Sequence, residues 1–287
     1  MAAMNRREFL LATGGLAVAA ACGSRGNGGD GAVAKVSSTT SRTRAPAFNL
    51  VVASYLHVAG IDERFTVALL NREGTGPVAL SEPVKLTVDG QAVTAEVHQD
   101  GIPLPYLLVR HRFAQPGVVK VEATFKGDTA DADLQVVDGQ GVKEPYPGRP
   151  MIVTPSPTAA ATLGVDPICT ADPACPLHDV SLDVLLAQRR PSAVLFSTPA
   201  RCQSRLCGPV LDNLLAQRDA FGDRVRFHHV EIYKARAGND LSPTVEAYGL
   251  TQEPILFLAG PDGTVRERLD NAVDRTEIKQ ALERLLA

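Results

Sequence analysis

Two cysteines, Cys202 and Cys207, lie between a predicted strand and a predicted helix, a position in which a thiol can become reactive. The run before them, Ala193–Phe196, is apolar and β-prone, as expected for a buried parallel strand. After Cys207 the apolar residues recur at helical spacing, which places Cys207 at a helix N-terminus. The dipole and free N–H groups of that end stabilise a thiolate, and Arg201 and Arg205 add positive charge nearby. We therefore expect a reactive thiol at Cys207.

Around these cysteines the sequence resembles the thioredoxin superfamily, whose active site runs from a strand through C-G-P-C into a helix. Here the motif reads C-G-P-V at positions 207–210, so the second family cysteine is absent and Cys202 lies five residues upstream. The resemblance continues through Val245–Leu250 into TQEPILFLAGPDGTVRERL, where Pro254 corresponds to the family's cis-proline facing the thiols. It implies a thioredoxin-like α/β fold over residues 163–287, with alternating strands and helices and a C-terminal amphipathic helix.

The altered motif leaves two functions open. In the first, the protein is a thiol–disulfide oxidoreductase that acts on protein thiols and disulfides, with Cys207 as nucleophile, Cys202 as resolving partner and Pro254 beside them. In the second, Cys202–Cys207 is a permanent disulfide in a non-enzymatic binding or scaffold module. The absence of tryptophan from the chain and of an acidic residue from Ala193–Phe196 weakens the catalytic alternative. We expect no cofactor in either case.

The N-terminal sequence has the features of an export signal over residues 1–22. N-R-R-E-F-L at positions 5–10 resembles the twin-arginine motif, and the apolar run that follows is too short to span a bilayer. Its end, A-A-A-C, resembles a bacterial lipobox in which Cys22 is acylated, and the alternative is a plain cleaved signal. Residues 23–47, rich in Gly, Ser and Thr, are predicted to be a flexible tether. The protein is therefore expected at the extracytoplasmic face of the membrane, held by a lipid.

The chain has five cysteines, and four remain if one is acylated. In an oxidising compartment the simplest of their three pairings is Cys169–Cys175 with Cys202–Cys207. A metal site built from these four cysteines and His178 is an alternative. The spacings C-x5-C and C-x4-C are wider than those usual in metal sites, so we expect two disulfides and no metal.

Residues 48–138 consist of short alternating runs separated by turn residues, of which Ala92–His98 is one. Seven such runs predict an immunoglobulin-like β-sandwich, and Asp89-Gly90 predicts a type I′ hairpin turn. Three histidines in this region, His57, His98 and His111, are interpreted as ordinary surface or strand residues, and the paired histidines in VRFHHVEI as structural residues of a later strand.

The remaining features concern organisation and partners. Residues 139–162 are rich in proline and are predicted to be a semi-extended connection between two domains. The chain of 287 residues is 45% hydrophobic, enough for one to two domains with proper cores. Its net charge of −3, without a basic run interleaved with aromatic residues, argues against a nucleic-acid partner.

Overall fold

Strands dominate the computed structural model, which describes residues 45–287 as one compact unit. The predicted export signal, the lipidation site Cys22 and all but the last three residues of the predicted tether lie outside this range. Within it, no helix is both long enough and apolar enough to span a membrane.

The N-terminal part of the described chain is all-β, as predicted. It forms two four-stranded antiparallel sheets, in the orders β1-β2-β6-β5 and β4-β3-β7-β8. The strands are β1 (Phe48–Val52), β2 (Glu63–Asn71), β3 (Lys85–Val88), β4 (Gln91–Val93), β5 (Glu96–His98), β6 (Tyr106–His111), β7 (Gly117–Phe125) and β8 (Asp128–Val136). Alternate side chains of both sheets share one hydrophobic core, in which Phe65 and Val121 are fully buried.

The structure has eight strands here, whereas the sequence predicts seven. The run Ala92–His98 is not one strand: Gln91–Val93 pairs with β3 in one sheet, and Glu96–His98 pairs with β6 in the other. The turn between β3 and β4 is as predicted, because Asp89 and Gly90 both have positive φ, 47° and 76°, as a type I′ turn requires.

The C-terminal part contains a third four-stranded sheet with helices. Its elements are α1 (Leu182–Ala187), β9 (Ser192–Ser197), α2 (Cys207–Leu215), α3 (Arg218–Phe221), β10 (Arg226–Glu231), α4 (Pro243–Tyr248), β11 (Ile255–Ala259), β12 (Val265–Asp270) and α5 (Arg275–Leu286). The strand order is β10-β9-β11-β12, with β9 and β10 parallel and the other pairs antiparallel. Strands and helices follow one another in the order that the sequence predicts, and the helix predicted from Cys207 onward is divided into α2 and α3.

The central strand β9 is buried along its whole length, because apolar clusters cover both faces of the sheet. Ala193 and Leu195 face one cluster, which includes residues of α2 and α5. Val194 and Phe196 face the other, where Phe196 lies 4.7 Å from the ring of Tyr248. A strand covered on both faces reads as a continuous apolar run, which explains why this strand could be predicted from the sequence.

The proline-rich segment 139–162 is packed against the third sheet and its helices. The Met151 N–H donates to the carbonyl oxygen of Gly263 at 2.8 Å, and the Tyr248 hydroxyl donates to the carbonyl oxygen of Ile152 at 2.9 Å. The hydroxyl of Thr244 donates to the carbonyl oxygen of Pro155 at 2.9 Å. These bonds fix the course of the segment, which the sequence predicts to be a semi-extended connection between two domains.

A buried polar cluster joins the β sheets to α5. Arg64 is 6% exposed and donates through two guanidinium nitrogens to the carboxylate of Glu277, which is fully buried. The Tyr106 hydroxyl donates to the same carboxylate. Arg64 also donates to the carbonyl oxygens of Asp270 and Ala272, at 2.9 and 2.6 Å. These contacts tie the all-β part to the α/β part through a salt bridge that is shielded from water.

Two of the three histidines interpreted as ordinary residues have buried acidic partners. His57 lies 3.0 Å from the carboxylate of Glu63, and His98 lies 2.9 Å from that of Asp274, the N-cap of α5. Local sequence pattern did not reveal the His98–Asp274 pair, because these two residues are 176 positions apart. Through this pair, His98 connects the all-β part of the molecule to the α/β part.

The His98–Asp274 pair predicts a pH dependence of stability. Burial opposes the charge on His98, but the hydrogen bond and charge of Asp274 outweigh it and raise the pKa of His98. The stabilisation is therefore present below the unfolded pKa of about 6.5 and is lost as pH rises through the folded pKa. In urea titrations the stability advantage of the wild type over His98→Asn should be larger at about pH 6 than at about pH 9. An advantage that is the same at both pH values would contradict the assignment.

Candidate functional site

The loop at residues 198–206, between β9 and α2, positions the two cysteines predicted to carry the chemistry. Cys207 is the first residue of α2 and is fully buried, which confirms its prediction at a helix start. Cys202 lies within the loop and is half-buried. The sequence-based pair is therefore brought together, with one sulfur accessible and the other enclosed. Both are separate thiols in the structure.

The Cys202 sulfur is surrounded by hydrogen-bond donors. The backbone N–H of Cys207 donates to Cys202 Sγ at 3.2 Å, and Ser204 Oγ lies 3.1 Å from the same sulfur. The Cys207 thiol, Ser204 and the backbone N–H groups of Leu206 and Cys207 together outweigh burial and lower the pKa of Cys202 to about 5. At neutral pH the thiolate is therefore the stable form of Cys202.

Cys207 has the opposite environment. Burial raises the pKa of the Cys207 thiol, and the hydrogen bond to Cys202 and the negative charge there raise it further. These environments favour a thiolate at Cys202 rather than at Cys207, where the sequence predicts it. The N–H group at the start of α2 points at the sulfur of Cys202 rather than at its own side chain.

The two arginines expected to stabilise the thiolate do not account for its low pKa. The guanidinium of Arg201 stacks 4.0 Å from the ring centroid of Tyr233 and donates to the carbonyl oxygen of Ala235 at 3.1 Å. Arg205 is exposed and has a positive φ of 60°. The leading causes of the Cys202 shift are hydrogen bonds, so the thiolate depends on local geometry more than on nearby positive charge.

Pro254 follows a cis peptide bond, as predicted, and the residue before it, Glu253, interacts electrostatically with both cysteines. The neighbouring residue Glu253 is half-buried, and burial together with the charge of Cys202 raises the pKa of its carboxyl group. The hydroxyl of Tyr55, from the all-β part, donates to the carbonyl oxygen of Glu253 at 2.9 Å. The Tyr55 N–H donates to the carboxylate of Asp270 at 3.0 Å. Sequence reasoning missed Tyr55, since no local pattern marks a contact across 198 residues.

The lowered pKa of Cys202 predicts how its alkylation rate depends on pH. The rate at which iodoacetamide modifies Cys202 should rise with pH and reach half its maximum near pH 5. Ser204→Ala should move this midpoint upward, because the thiolate loses one hydrogen-bond partner. Peptide mass spectrometry identifies the modified residue, and the buried Cys207 of the same samples provides the internal control. A midpoint near the ordinary value of about 8.5 would contradict the described geometry.

The second predicted pair, Cys169 and Cys175, is also brought together, and both residues are buried, separate thiols. They lie in one cluster with His178 and His229, in which the four potential ligand atoms are all within 4.8 Å of one another. The ligand set considered from the sequence, with Cys202 and Cys207 in it, differs from this cluster. His229 was missed as a partner because the alternation of its strand indicates only which face it is on.

Comparisons with known proteins give little more. The sequence matches no protein-family model, and no curated protein matches it. A polysaccharide lyase is similar over 34% of this chain and 13% of the lyase, with 17% identity and a TM-score of 0.25. The filamin domain of Lin-41 has 15% identity and a TM-score of 0.24 over 33% of this chain and 100% of the domain. The titin M3 domain has 20% identity and a TM-score of 0.20 over 32% of this chain and 95% of the domain. Likenesses this weak assign no function.

Proposed function

We propose that the protein is an extracytoplasmic, lipid-anchored thiol–disulfide oxidoreductase in which Cys202 is the nucleophile and Cys207 the resolving cysteine. The observation that carries the proposal is the contrast between the two sulfurs. Cys202 is half-buried with a lowered pKa, whereas Cys207 is fully buried with a raised one. An attacking thiol needs access and thiolate character, and a resolving thiol needs only to reach its partner.

The reaction follows from these positions. The Cys202 thiolate attacks one sulfur of a substrate disulfide, so that a mixed disulfide forms and the other substrate sulfur leaves as a thiolate. Cys207 then loses its proton and attacks the Cys202 sulfur, which releases the second substrate sulfur as a thiolate. The substrate disulfide is thereby reduced by two electrons, and the protein is oxidised to the Cys202–Cys207 disulfide. The reverse sequence oxidises a substrate dithiol.

We assign acceptance of the Cys207 proton to Glu253. The charge of Glu253 contributes to the raised pKa of Cys207, so the two groups interact. Burial raises the pKa of Glu253 itself, which makes its carboxylate a stronger base than an exposed one. In this proposal the acidic residue absent from strand β9 is replaced by Glu253, which precedes Pro254.

We further propose that residues 163–287 form a thioredoxin-like domain and that residues 48–138 form an immunoglobulin-like sandwich. The order of strands and helices from β9 to α5 and the cis peptide bond before Pro254 support the first assignment. Two four-stranded antiparallel sheets around a shared core support the second. The export signal and Cys22 support the location, on sequence grounds alone. The substrates are then protein thiols and disulfides of the cell envelope.

The test is the reduction potential of Cys202–Cys207. The protein is equilibrated across a glutathione or dithiothreitol series, the free thiols are alkylated, and mass spectrometry quantifies the modified peptides that contain each cysteine. An oxidoreductase should be reduced at a potential above about −300 mV, with the transition lost in Cys207→Ser. A pair that stays oxidised below that potential would overturn the proposal and favour the binding or scaffold module with permanent disulfides.

A further inference from the structure

Four side chains that the proposed redox site does not use converge near the end of strand β9. Three come from one short segment, in which Cys169 and Cys175 precede His178, and the fourth, His229, comes from β10. All four are at most 8% exposed. Two sulfurs and two imidazole nitrogens are among the common protein ligands of a zinc ion.

The separations between these atoms match the edges of a metal tetrahedron. Zn–S bonds of about 2.3 Å and Zn–N bonds of about 2.0–2.1 Å imply edges of roughly 3.3 Å between two nitrogens and roughly 3.6 Å between nitrogen and sulfur. The ring nitrogens His178 Nε2 and His229 Nδ1 lie 3.2 Å apart. Cys175 Sγ lies 3.3 Å from the first nitrogen and 3.4 Å from the second, and Cys169 Sγ lies 3.8 Å from the second.

The ring of His229 is oriented from outside the cluster. Its Nε2 lies 3.2 Å from the carbonyl oxygen of Ser197 and 2.9 Å from the hydroxyl of the same residue. Because a carbonyl oxygen only accepts hydrogen bonds, the Nε2–H donates, and Nδ1 is the ring nitrogen that faces the sulfurs. Metal-binding histidines are commonly fixed in this way, with the second nitrogen donating to a carbonyl or carboxylate group.

We propose that Cys169, Cys175, His178 and His229 bind a structural zinc ion. Four protein ligands close the coordination sphere and leave no position for water or substrate, which distinguishes a structural zinc site from a catalytic one. This proposal is independent of the redox function and replaces the expectation of a Cys169–Cys175 disulfide without metal.

The proposed zinc site would also restrain the loop at residues 198–206 that carries Cys202. Thr170, next to Cys169, accepts a hydrogen bond at its hydroxyl from the Ala200 N–H at 3.2 Å. Its own N–H donates to the buried carboxylate of Glu231 at 2.7 Å. Because Ala200 is two residues before Cys202, a metal that fixes the segment around Cys169 also restrains the loop that carries the nucleophile.

The experiment uses the full chain, purified in detergent under reducing conditions and loaded with Zn²⁺ or Co²⁺. Elemental analysis and native mass spectrometry should find about one zinc ion per chain, and the cobalt form should show thiolate-to-metal charge transfer with tetrahedral absorption bands. Zinc should protect Cys169 and Cys175 from alkylation in the wild type while Cys202 remains reactive. This protection requires no variant and therefore no assumption about the folding of a variant.

Matched variants test the ligand assignment. His229→Gln should lose the metal, whereas His228→Gln should keep it, because His228 lies on the opposite face of β10 and pairs with Ser156 Oγ at 2.8 Å. Cys202→Ser with Cys207→Ser should also keep it. Reduced wild-type chain that binds no zinc, a Cys169–Cys175 disulfide that persists in the presence of zinc, or metal that depends on Cys202 and Cys207 would each overturn the proposal.

Discussion

Cys202→Ser should lower the rate at which the protein reduces a protein disulfide by at least about 10³-fold. The hydroxyl of serine does not ionise at neutral pH and cannot replace the thiolate that the environment of Cys202 stabilises. Cys207→Ser should keep the first step and block the second, so the variant should accumulate a mixed disulfide between substrate and Cys202. Non-reducing gels and intact-mass measurement detect that adduct.

The comparison between the two variants also tests which of the two cysteines attacks the substrate. If Cys207 were the nucleophile, Cys202→Ser would be the variant that accumulates an adduct, and the adduct would lie at Cys207. The doubly substituted chain, with serine at both positions, gives the background rate. An unchanged rate in Cys202→Ser would contradict the assigned roles.

Arg64→Leu should destabilise the protein by about 3–5 kcal/mol, because it leaves the buried carboxylate of Glu277 without its cationic partner. Tyr106 still donates to this carboxylate but does not neutralise its charge. The midpoint of equilibrium urea unfolding measures the effect. An unchanged m-value, the slope of the unfolding free energy against urea concentration, would show that the variant exposes as much surface on unfolding as the wild type.

Two controls separate the loss of the ion pair from other effects. Arg112→Leu makes the same replacement at an exposed position, where the arginine pairs with Asp62 at 3.5 Å, and should change stability little. The double variant Arg64→Leu with Glu277→Leu should recover part of the loss, because no isolated buried charge remains. A single variant as stable as the wild type would contradict the described pairing.

Local pattern predicted the elements better than it predicted their partners. The alternation of Ala92–His98 is equally compatible with one strand or two, and only tertiary structure shows that the chain changes sheets between Val93 and Glu96. By contrast, the Asp89-Gly90 turn depends on the backbone preferences of two residues, which are visible in the sequence.

In the candidate site, too, the elements could be predicted from the sequence but the contacts between them could not. A helix start was predicted at Cys207 from helical spacing, but which sulfur receives its N–H depends on the path of the loop. Burial of Cys207 and partial exposure of Cys202 follow from that path as well. The contribution of His229 to the second cluster depends on a segment sixty residues earlier in the chain. Spacing rules designed for ligands in one short stretch do not detect such a set.

The hydrogen bond from Tyr55 to Glu253 has a consequence for how this protein can evolve. Recombination that transferred the α/β part alone to another gene would remove the residue that holds the loop of Pro254. It would also leave Glu277 and Asp274 without Arg64 and His98. The two parts are therefore not interchangeable modules. Substitutions at Tyr55, Arg64 or His98 are therefore expected to affect the stability of the α/β part as well.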